Sequence, residues 1–511
     1  MSTKTAPDGS ESIFIQEVER HQKRYNRILE LTHSTTKAAA VMLLAAIVAL
    51  IVANTGLYDG FYHFWHTEVS IGFGDNSVSM TLAHIINDIF MAIFFLLVGL
   101  EIKYEMTVGE LTNIRQAILP VGAAVGGVLA PVGIYLLFNV QNPDAMMGWG
   151  VPTATDIAFA LGILALLGSR VPSGVRVFLS TLAVADDIIA ILIIAVFYGQ
   201  SPSIEWLIGA LVVLIVLVIM NRSHIYSLAP YLLGGVILWY CVFMSGVHST
   251  IAGVLLAFTI PSGSRVNIKK FVDWSGEQVR QSNKAFLPDT PIIGQSDYLE
   301  GVSRLSRVAR QVVPPATRLE RLLYPWVYFV ILPLFALTNA DVSFVGGGIA
   351  DVVTDPIFFG VFFGLLLGKP LGIMILSFII VKTKISSLPE NVNWGHMLGA
   401  GLLGGVGFTM AIFVANLAFA DSFQVIVAKV AILSASLIAG VVGFVFLFAQ
   451  AKIAVLLGVR YETPLPDASN MQTHVAHEAA RQERRRQRKE RDRKEHRQLQ
   501  AENKKPPSIM S

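Results

Sequence analysis

The chain has 511 residues, 53% hydrophobic and 15% charged, with a formal net charge of +3. With a mean hydropathy of +0.59, this composition excludes one or two soluble domains and is that of a polytopic membrane protein. The single cysteine, Cys241, excludes an internal disulfide and a thiolate metal cluster.

Residues 1–35 are polar and mixed in charge, with Arg20, Lys23, Arg24 and Arg27 and no signal-peptide pattern, and read as a cytoplasmic arm. Apolar runs long enough to cross about 30 Å of hydrocarbon then recur from near Thr36 to near Leu457. The predicted spans are 36–56, 82–100, 117–138, 150–168, 177–198, 204–220, 228–245, 247–260, 325–338, 356–380, 397–419 and 425–457. Eight of them fall in 36–261 and four in 324–457, which gives an all-α polytopic membrane protein of about twelve transmembrane helices.

Between the first two spans, TEVSIGFGDNSVSM alternates apolar and polar residues around Gly74-Asp75-Asn76, predicting an outer β-hairpin near 66–80. Residues 262–323 form a long polar insertion on the cytoplasmic side, in which LEGVSRLSRVARQVV has the apolar spacing of a surface or interfacial helix. The tail, 458–511, is basic and mixed in charge. Its stretch 478–505 carries twelve Lys/Arg against six Asp/Glu, about +6, which leaves the remainder near −3. Such a tail suits anionic lipid, and without interleaved aromatic residues no nucleic-acid partner is expected.

Lysine and arginine set the orientation. Lys103, Arg115, Arg170, Arg176, Arg222, Lys382, Lys384, Lys452 and Arg460 fall in one alternating set of loops. The opposite loops, near 57–81, 139–149, 199–205, 339–356 and 420–424, contain none. The positive-inside rule puts the basic loops and both termini in the cytoplasm. Lys429, just inside the last span near the outer face, is the exception and can snorkel.

Two spans read as broken. The fourth opens WGVPTATDIAFALG, with Pro152, Thr153, Thr155 and then Asp156 at mid-depth, and the eleventh carries Gly399, Gly401, Gly404, Gly405 and Gly407. Unwound backbone at membrane depth is tolerated only where protein or a wet cavity satisfies its polar groups. Spans 3–5 and 10–12 place these helices second in two triplets that run in opposite directions. That arrangement predicts an inverted-topology repeat with a midplane site.

Asp186 and Asp187 stand side by side inside FLSTLAVADDIIAILIIAVFY. Each costs roughly 2.5–3.5 kcal/mol at bilayer depth, so the pair is a site candidate with a proton or small cation as counter-charge. Asp156 and Lys369 are further ionisable residues at membrane depth, and Thr155 adds a hydroxyl. Carboxylate, hydroxyl and carbonyl oxygens suit sodium or lithium as a transported metal held by Asp187, Asp186 and Thr155, with Asp156 beside them. Two neighbouring carboxylates in low dielectric cannot both ionise cheaply, so protons and the metal ion compete for the same oxygens. If only the loaded or protonated site crosses, exchange follows. Two protons per monovalent cation would make it electrogenic, and it would weaken at acid pH.

Blander readings stand beside these. Asp186 and Asp187 can be a structural buried pair, Asp156 can compensate a helix end, and Thr155 can satisfy freed carbonyls. Lys369 serves equally as a structural ion-pair partner or a proton carrier. Glu101, Glu105 and Glu320 can be solvated charges at the aqueous edge, and His248 a packed histidine.

No catalytic nucleophile–base pair, zinc set or phosphate-cradling loop is present, so no enzyme activity and no cofactor are expected beyond the transported ions. Tyr58-Asp59 and Gly72-Phe73-Gly74-Asp75 superficially match signatures of intramembrane aspartyl proteases. Both lie in the outer loop, whereas that chemistry needs aspartates on neighbouring membrane helices. A sodium-coupled symporter of an organic solute is the alternative on a related inverted-repeat fold. It lacks an intramembrane arginine to hold an anion.

The motifs VPTATDIAFALGILALLGSRVP, LAVADDIIAILIIAVFY, FFLLVGLEIKYE, SGVHSTIAGV, RLERLLYPWVYFVILPLFALTNA, GKPLGI and GGVGFTMAIFVANLAF together resemble NhaA-type sodium/proton antiporters, from about Lys37 to Leu457. The resemblance implies a homodimer, joined through the outer hairpin, in the bacterial inner membrane, with crossing unwound helices 4 and 11. It implies Asp187 and Asp186 as cation and proton carriers, Thr155 and Asp156 at the crossing, and Lys369 as salt-bridge partner of Asp186. It maps pH regulation to Glu101, Glu105, His248 and Glu320 near a cytoplasmic funnel. Tyr104 stands where the family has arginine and Thr317 where it has lysine, so a shifted or flatter pH profile is expected.

Overall fold

The computed structural model describes residues 34–73, 76–199, 202–342, 349–389 and 391–456, together with Val18 and Thr32. The basic tail and nearly all of the N-terminal arm lie outside the described residues.

Eight helices are long and apolar enough to cross a bilayer: Thr35–Ala53, Leu82–Thr107, Gln116–Asn139, Ser173–Phe197, Ile204–Arg222, Pro315–Asn339, Pro356–Lys382 and Ser422–Ala454. Two bent pairs, Pro143–Thr153 with Ile157–Leu166 and Trp394–Gly404 with Phe408–Ala418, bring the number to ten. The shorter apolar helices Leu228–Met244 and Thr250–Thr259 complete twelve segments among the described residues. They are numbered here as spans 1 to 12 in chain order, with the bent pairs as spans 4 and 11.

Three elements differ from the sequence reading. Span 2 continues past residue 100 to Thr107, and span 9 begins at Pro315 rather than near 325. Both extensions are polar, so hydropathy stops before the helix does. Pro315 sits in the first turn, where its missing N–H costs nothing. Inside span 9, Pro325 removes a ladder donor, and a π-turn at Val327–Ile331 follows it. The third difference is an additional helix, Tyr58–Trp65, in what reads as loop.

The face opposite the basic loops carries an antiparallel hairpin of β1, Glu68–Phe73, and β2, Asn76–Thr81. Its register runs from Glu68 opposite Thr81 to Phe73 opposite Asn76. On the basic face, the long insertion folds as two helices, Ile268–Ala285 and Ser296–Val312. The second matches the expected amphipathic segment. The first is polar on most of its surface and leaves a weaker periodic signal.

Spans 3 and 10 meet through glycines, as lipid offers no hydrophobic drive and close backbone packing must supply the contact. A Cβ on Gly372 would run into the carbonyl of Gly126, and one on Gly126 into the carbonyl of Gly372. Gly372→Ala should therefore push spans 3 and 10 apart and cost about 1–3 kcal/mol of overpacking strain. The check is the thermal midpoint of the purified protein, which should fall. An unchanged midpoint would mean that this contact is not tight in the folded protein.

Candidate functional site

Spans 4 and 11 bend by 41° and 46° at their breaks, and the two breaks lie against each other. In span 4 a 3-10 helix, Met147–Thr153, ends at Thr153, and an α-helix restarts at Ile157. In span 11 the chain unwinds after Gly404 and restarts at Phe408. Four half-helix ends therefore converge, two presenting bare N–H groups and two presenting bare carbonyls.

Protein groups answer most of these. Asp156 caps its own half-helix by accepting from Phe159 N at 3.0 Å. Its second oxygen accepts from Thr409 N at 3.1 Å and from the Thr409 hydroxyl at 2.5 Å. One carboxylate thus compensates the positive ends of both half-helices. Asp156 N donates to Val406 O at 2.8 Å, and the Thr155 hydroxyl donates to Gly404 O at 3.0 Å. Phe408 N donates to Ser436 Oγ on span 12 at 3.1 Å.

Lys369 opens the last helical stretch of span 10, directly after a π-turn at Gly364–Gly368. Its ammonium donates to Asp186 Oδ2 at 2.7 Å and also to the carbonyl of Thr153, the last residue of the first half of span 4. Asp186 and Lys369 are almost completely buried, at 2% and 1% exposure, so the pair is desolvated on both sides. Among the described residues, Asp186 Oδ1 has no hydrogen-bond partner.

Asp187 faces another way. Its side chain lines a narrow crevice together with Glu101, Thr155, Asp156, Tyr328 and Thr409. The apolar walls include Phe94, Val98, Leu332 and Met410. Its carboxylate lies in the fields of Asp186, Glu101, Lys369 and Asp156. Three acidic groups and one cation face it. A small monovalent cation would find oxygens from Asp187, Thr155 and Thr409 and a surplus of negative charge.

Further acidic residues follow Glu101 toward the basic face. Glu101 hydrogen-bonds the Tyr328 phenol and lies in the fields of Glu320 and Glu105. Glu105 Oε2 accepts from Glu110 N at 3.0 Å at the end of span 2. His248 does not join this group. Its Nε2–H donates to Tyr198 O at 2.5 Å, at the opposite end of span 5. The expected placement of His248 beside the three glutamates is therefore corrected. His248 precedes span 8, which runs toward the basic face only after that residue, so its backbone is fixed near the hairpin face.

Three residues at the crossing escape the sequence reading. Thr409 follows the glycine break directly, and a polar residue at a half-helix start is a signal that was available. Tyr328 and Ser436 give none, because a lone tyrosine or serine in an apolar run is ordinary. Among the described residues, Asn87, Asn339 and Asn416 also join spans 2, 9 and 11 near the hairpin face. Asn339 donates to Asn87 at 2.8 Å and accepts from Asn416 at 2.7 Å.

A family model described as Na+/H+ antiporter 1 matches residues 29–447. The Na(+)/H(+) antiporter NhaA of Helicobacter pylori strain J99 is 45% identical over 418 residues, covering 81% of this chain and 93% of the relative. That of Wolinella succinogenes is 41% identical over 425 residues, covering 83% and 93%. That of Oleidesulfovibrio alaskensis is 43% identical over 411 residues, covering 80% and 91%. The matched range contains both broken spans, the adjacent aspartates and Lys369, and by this match the chain belongs to the Na+/H+ antiporter 1 family.

Proposed function

We propose that this chain exchanges sodium for protons across a bacterial inner membrane, with lithium as a second cargo. The observation that carries the reading is the division of labour at the aspartate pair. Asp187 opens to the crevice, while Asp186 is tied to Lys369 and keeps one oxygen unpartnered. A cation in the crevice reaches Asp187 before Asp186, with the Thr155 hydroxyl beside it and Asp156 completing the negative surroundings. Its charge then competes with Lys369 for Asp186. Release of two protons per sodium makes the exchange electrogenic. No covalent step is involved, so the protein is a transporter that needs no cofactor.

The basic face is cytoplasmic and both termini lie there, as the asymmetry of lysine and arginine supports. Glu101, Glu105 and Glu320 line the approach from that side and adjust its charge with pH. With Tyr104 and Thr317 in place of charged residues, the response is flatter than in relatives that carry both. The free edges of the hairpin offer unpaired N–H and C=O groups to a second copy, which supports a homodimer joined there.

The test is the apparent sodium affinity of reconstituted protein as a function of pH. Protons and sodium compete for the same carboxylates, so affinity should weaken as pH falls, by about tenfold per pH unit for each competing proton. An affinity independent of pH would overturn the shared site. Flux that required an organic solute would overturn exchange itself.

A further inference from the structure

We infer that the helical hairpin of the insertion, Ile268–Ala285 with Ser296–Val312, is a docking surface for anionic phospholipid on the basic face of the membrane. The inference uses the membrane topology proposed above and is independent of what the protein transports.

The hairpin is anchored at one place. Span 8 ends at Thr259 and span 9 begins at Pro315. Ala316 N donates to Pro261 O at 3.1 Å, so the two feet are joined where the chain leaves and re-enters the membrane domain. Within the hairpin the second helix runs back along the first. Phe286 packs against Tyr298 with the rings tilted and their centroids 5.2 Å apart, and one turn earlier on the first helix a Cβ on Gly301 would meet the Ser282 hydroxyl. The feet of both helices therefore lie together at the bilayer surface.

Charge is sorted along this hairpin. Its foot carries Arg265, Lys269, Lys270, Arg304, Arg307 and Arg310, all exposed. No acidic residue occurs in 264–272 or 303–312. Two acidic residues, Asp273 and Glu277, stand against these six basic ones, whereas toward the turn Arg280 and Lys284 are outnumbered by Asp289, Asp297 and Glu300. A cationic collar next to the membrane and a mixed-charge remainder match attraction to anionic headgroups, which falls off within a Debye length.

An apolar edge accompanies the collar. Ile268 and Val272 are 61% and 62% exposed among these basic residues, and Val279, on the same edge two turns on, is 54% exposed. On the returning helix Leu299 and Val302 are each 40% exposed. Each helix shows this edge on the same rotational side of its packing face. In two helices of opposite direction, the edges then share one face of the hairpin. Solvated helices do not keep such an edge without cause. Apolar side chains flanked by lysine and arginine are the pattern of a helix lying in the headgroup region.

The experiment uses the full-length chain with Cys241→Ala, reconstituted in nanodiscs of phosphatidylcholine with or without phosphatidylglycerol. Spin labels are placed at Ile268→Cys and Val272→Cys, with Asp273→Cys and Glu277→Cys as controls on the polar side. With phosphatidylglycerol present, the first two labels should become accessible to oxygen and shielded from an aqueous nickel chelate, while the controls stay water-like. The triple reversal Lys269→Glu, Lys270→Glu and Arg307→Glu should return the Val272 label to water and leave sodium/proton exchange intact. Water-like labels in both lipids would overturn the inference. So would shielding that persists in detergent without lipid, since a protein surface would then be the occupant. Shielding unaffected by the charge reversal would show that headgroup charge is not what holds the hairpin.

Discussion

Asp187→Asn is expected to reduce exchange to the level of protein-free vesicles while leaving the fold intact. Asparagine keeps the shape and removes the charge. The crevice then loses the one carboxylate of the adjacent pair that faces it, and its remaining oxygens belong to groups engaged elsewhere. The Thr155 hydroxyl is bound to Gly404 O, and the Asp156 carboxylate is occupied by Phe159 and Thr409. A sodium ion would have to shed hydration water for oxygens already bound to other donors, the Glu101 carboxylate with its Tyr328 hydrogen bond among them. The measurement is sodium-driven alkalinisation of acid-loaded vesicles containing an internal pH dye. Residual exchange with unchanged sodium affinity would show that Asp187 is not a cation ligand. The thermal midpoint is expected to hold or rise, because the substitution removes a charge from a field of three other carboxylates. A fall of the midpoint would mean that Asp187 has a structural partner.

The second large effect is expected at Lys369. Lys369→Ala leaves the Asp186 carboxylate buried without its partner and strips the Thr153 carbonyl of its donor. Breaking a buried pair on one side costs about 3–5 kcal/mol, more than the pair itself contributes. A large fall in the thermal midpoint should follow. Asp186→Asn combined with Lys369→Met replaces the ion pair by uncharged groups and should recover most of that loss. A double variant as unstable as Lys369→Ala would place the stabilising role of Lys369 elsewhere, at the end of the broken helix. Charge moved per exchange cycle, read as current across a supported membrane, should fall in the double variant because one titrating carboxyl is gone.

Much of this site is legible along the chain because the bilayer applies a simple, local rule. A charge or an unwound turn at membrane depth is costly, so Asp156, Asp186, Asp187, Lys369 and the glycines of span 11 stand out against their apolar neighbours. Groups whose chemistry is ordinary in such a run stay hidden. Thr409, Tyr328 and Ser436 matter only through what they touch. Thr409 meets Asp156 across 253 positions of sequence, and no local pattern records that contact. The ends of spans 2 and 9 stay hidden for a related reason. Spans 2 and 9 continue beyond the hydrocarbon as polar helix, where hydropathy carries no information, and this continuation places Glu101, Glu105 and Glu320 on rigid elements.

His248 marks the other limit. Its residue type suits a pH-responsive group, yet its position at the start of span 8 fixes it near Tyr198 at the end opposite Glu105 and Glu320. Residue type is read from the chain, whereas depth depends on where each helix starts.

The membrane class, the two breaks and the adjacent aspartates are legible in the chain alone, because each is a cost that its own neighbours reveal. How those costs are answered depends on the packing of the spans. It assigns Lys369 to Asp186 and opens Asp187 to the crevice, and it makes Asp156 the cap of two half-helices from different spans. Such pairings depend on which spans pack together, and packing in lipid is set by close glycine contacts and hydrogen bonds between segments that are distant in sequence.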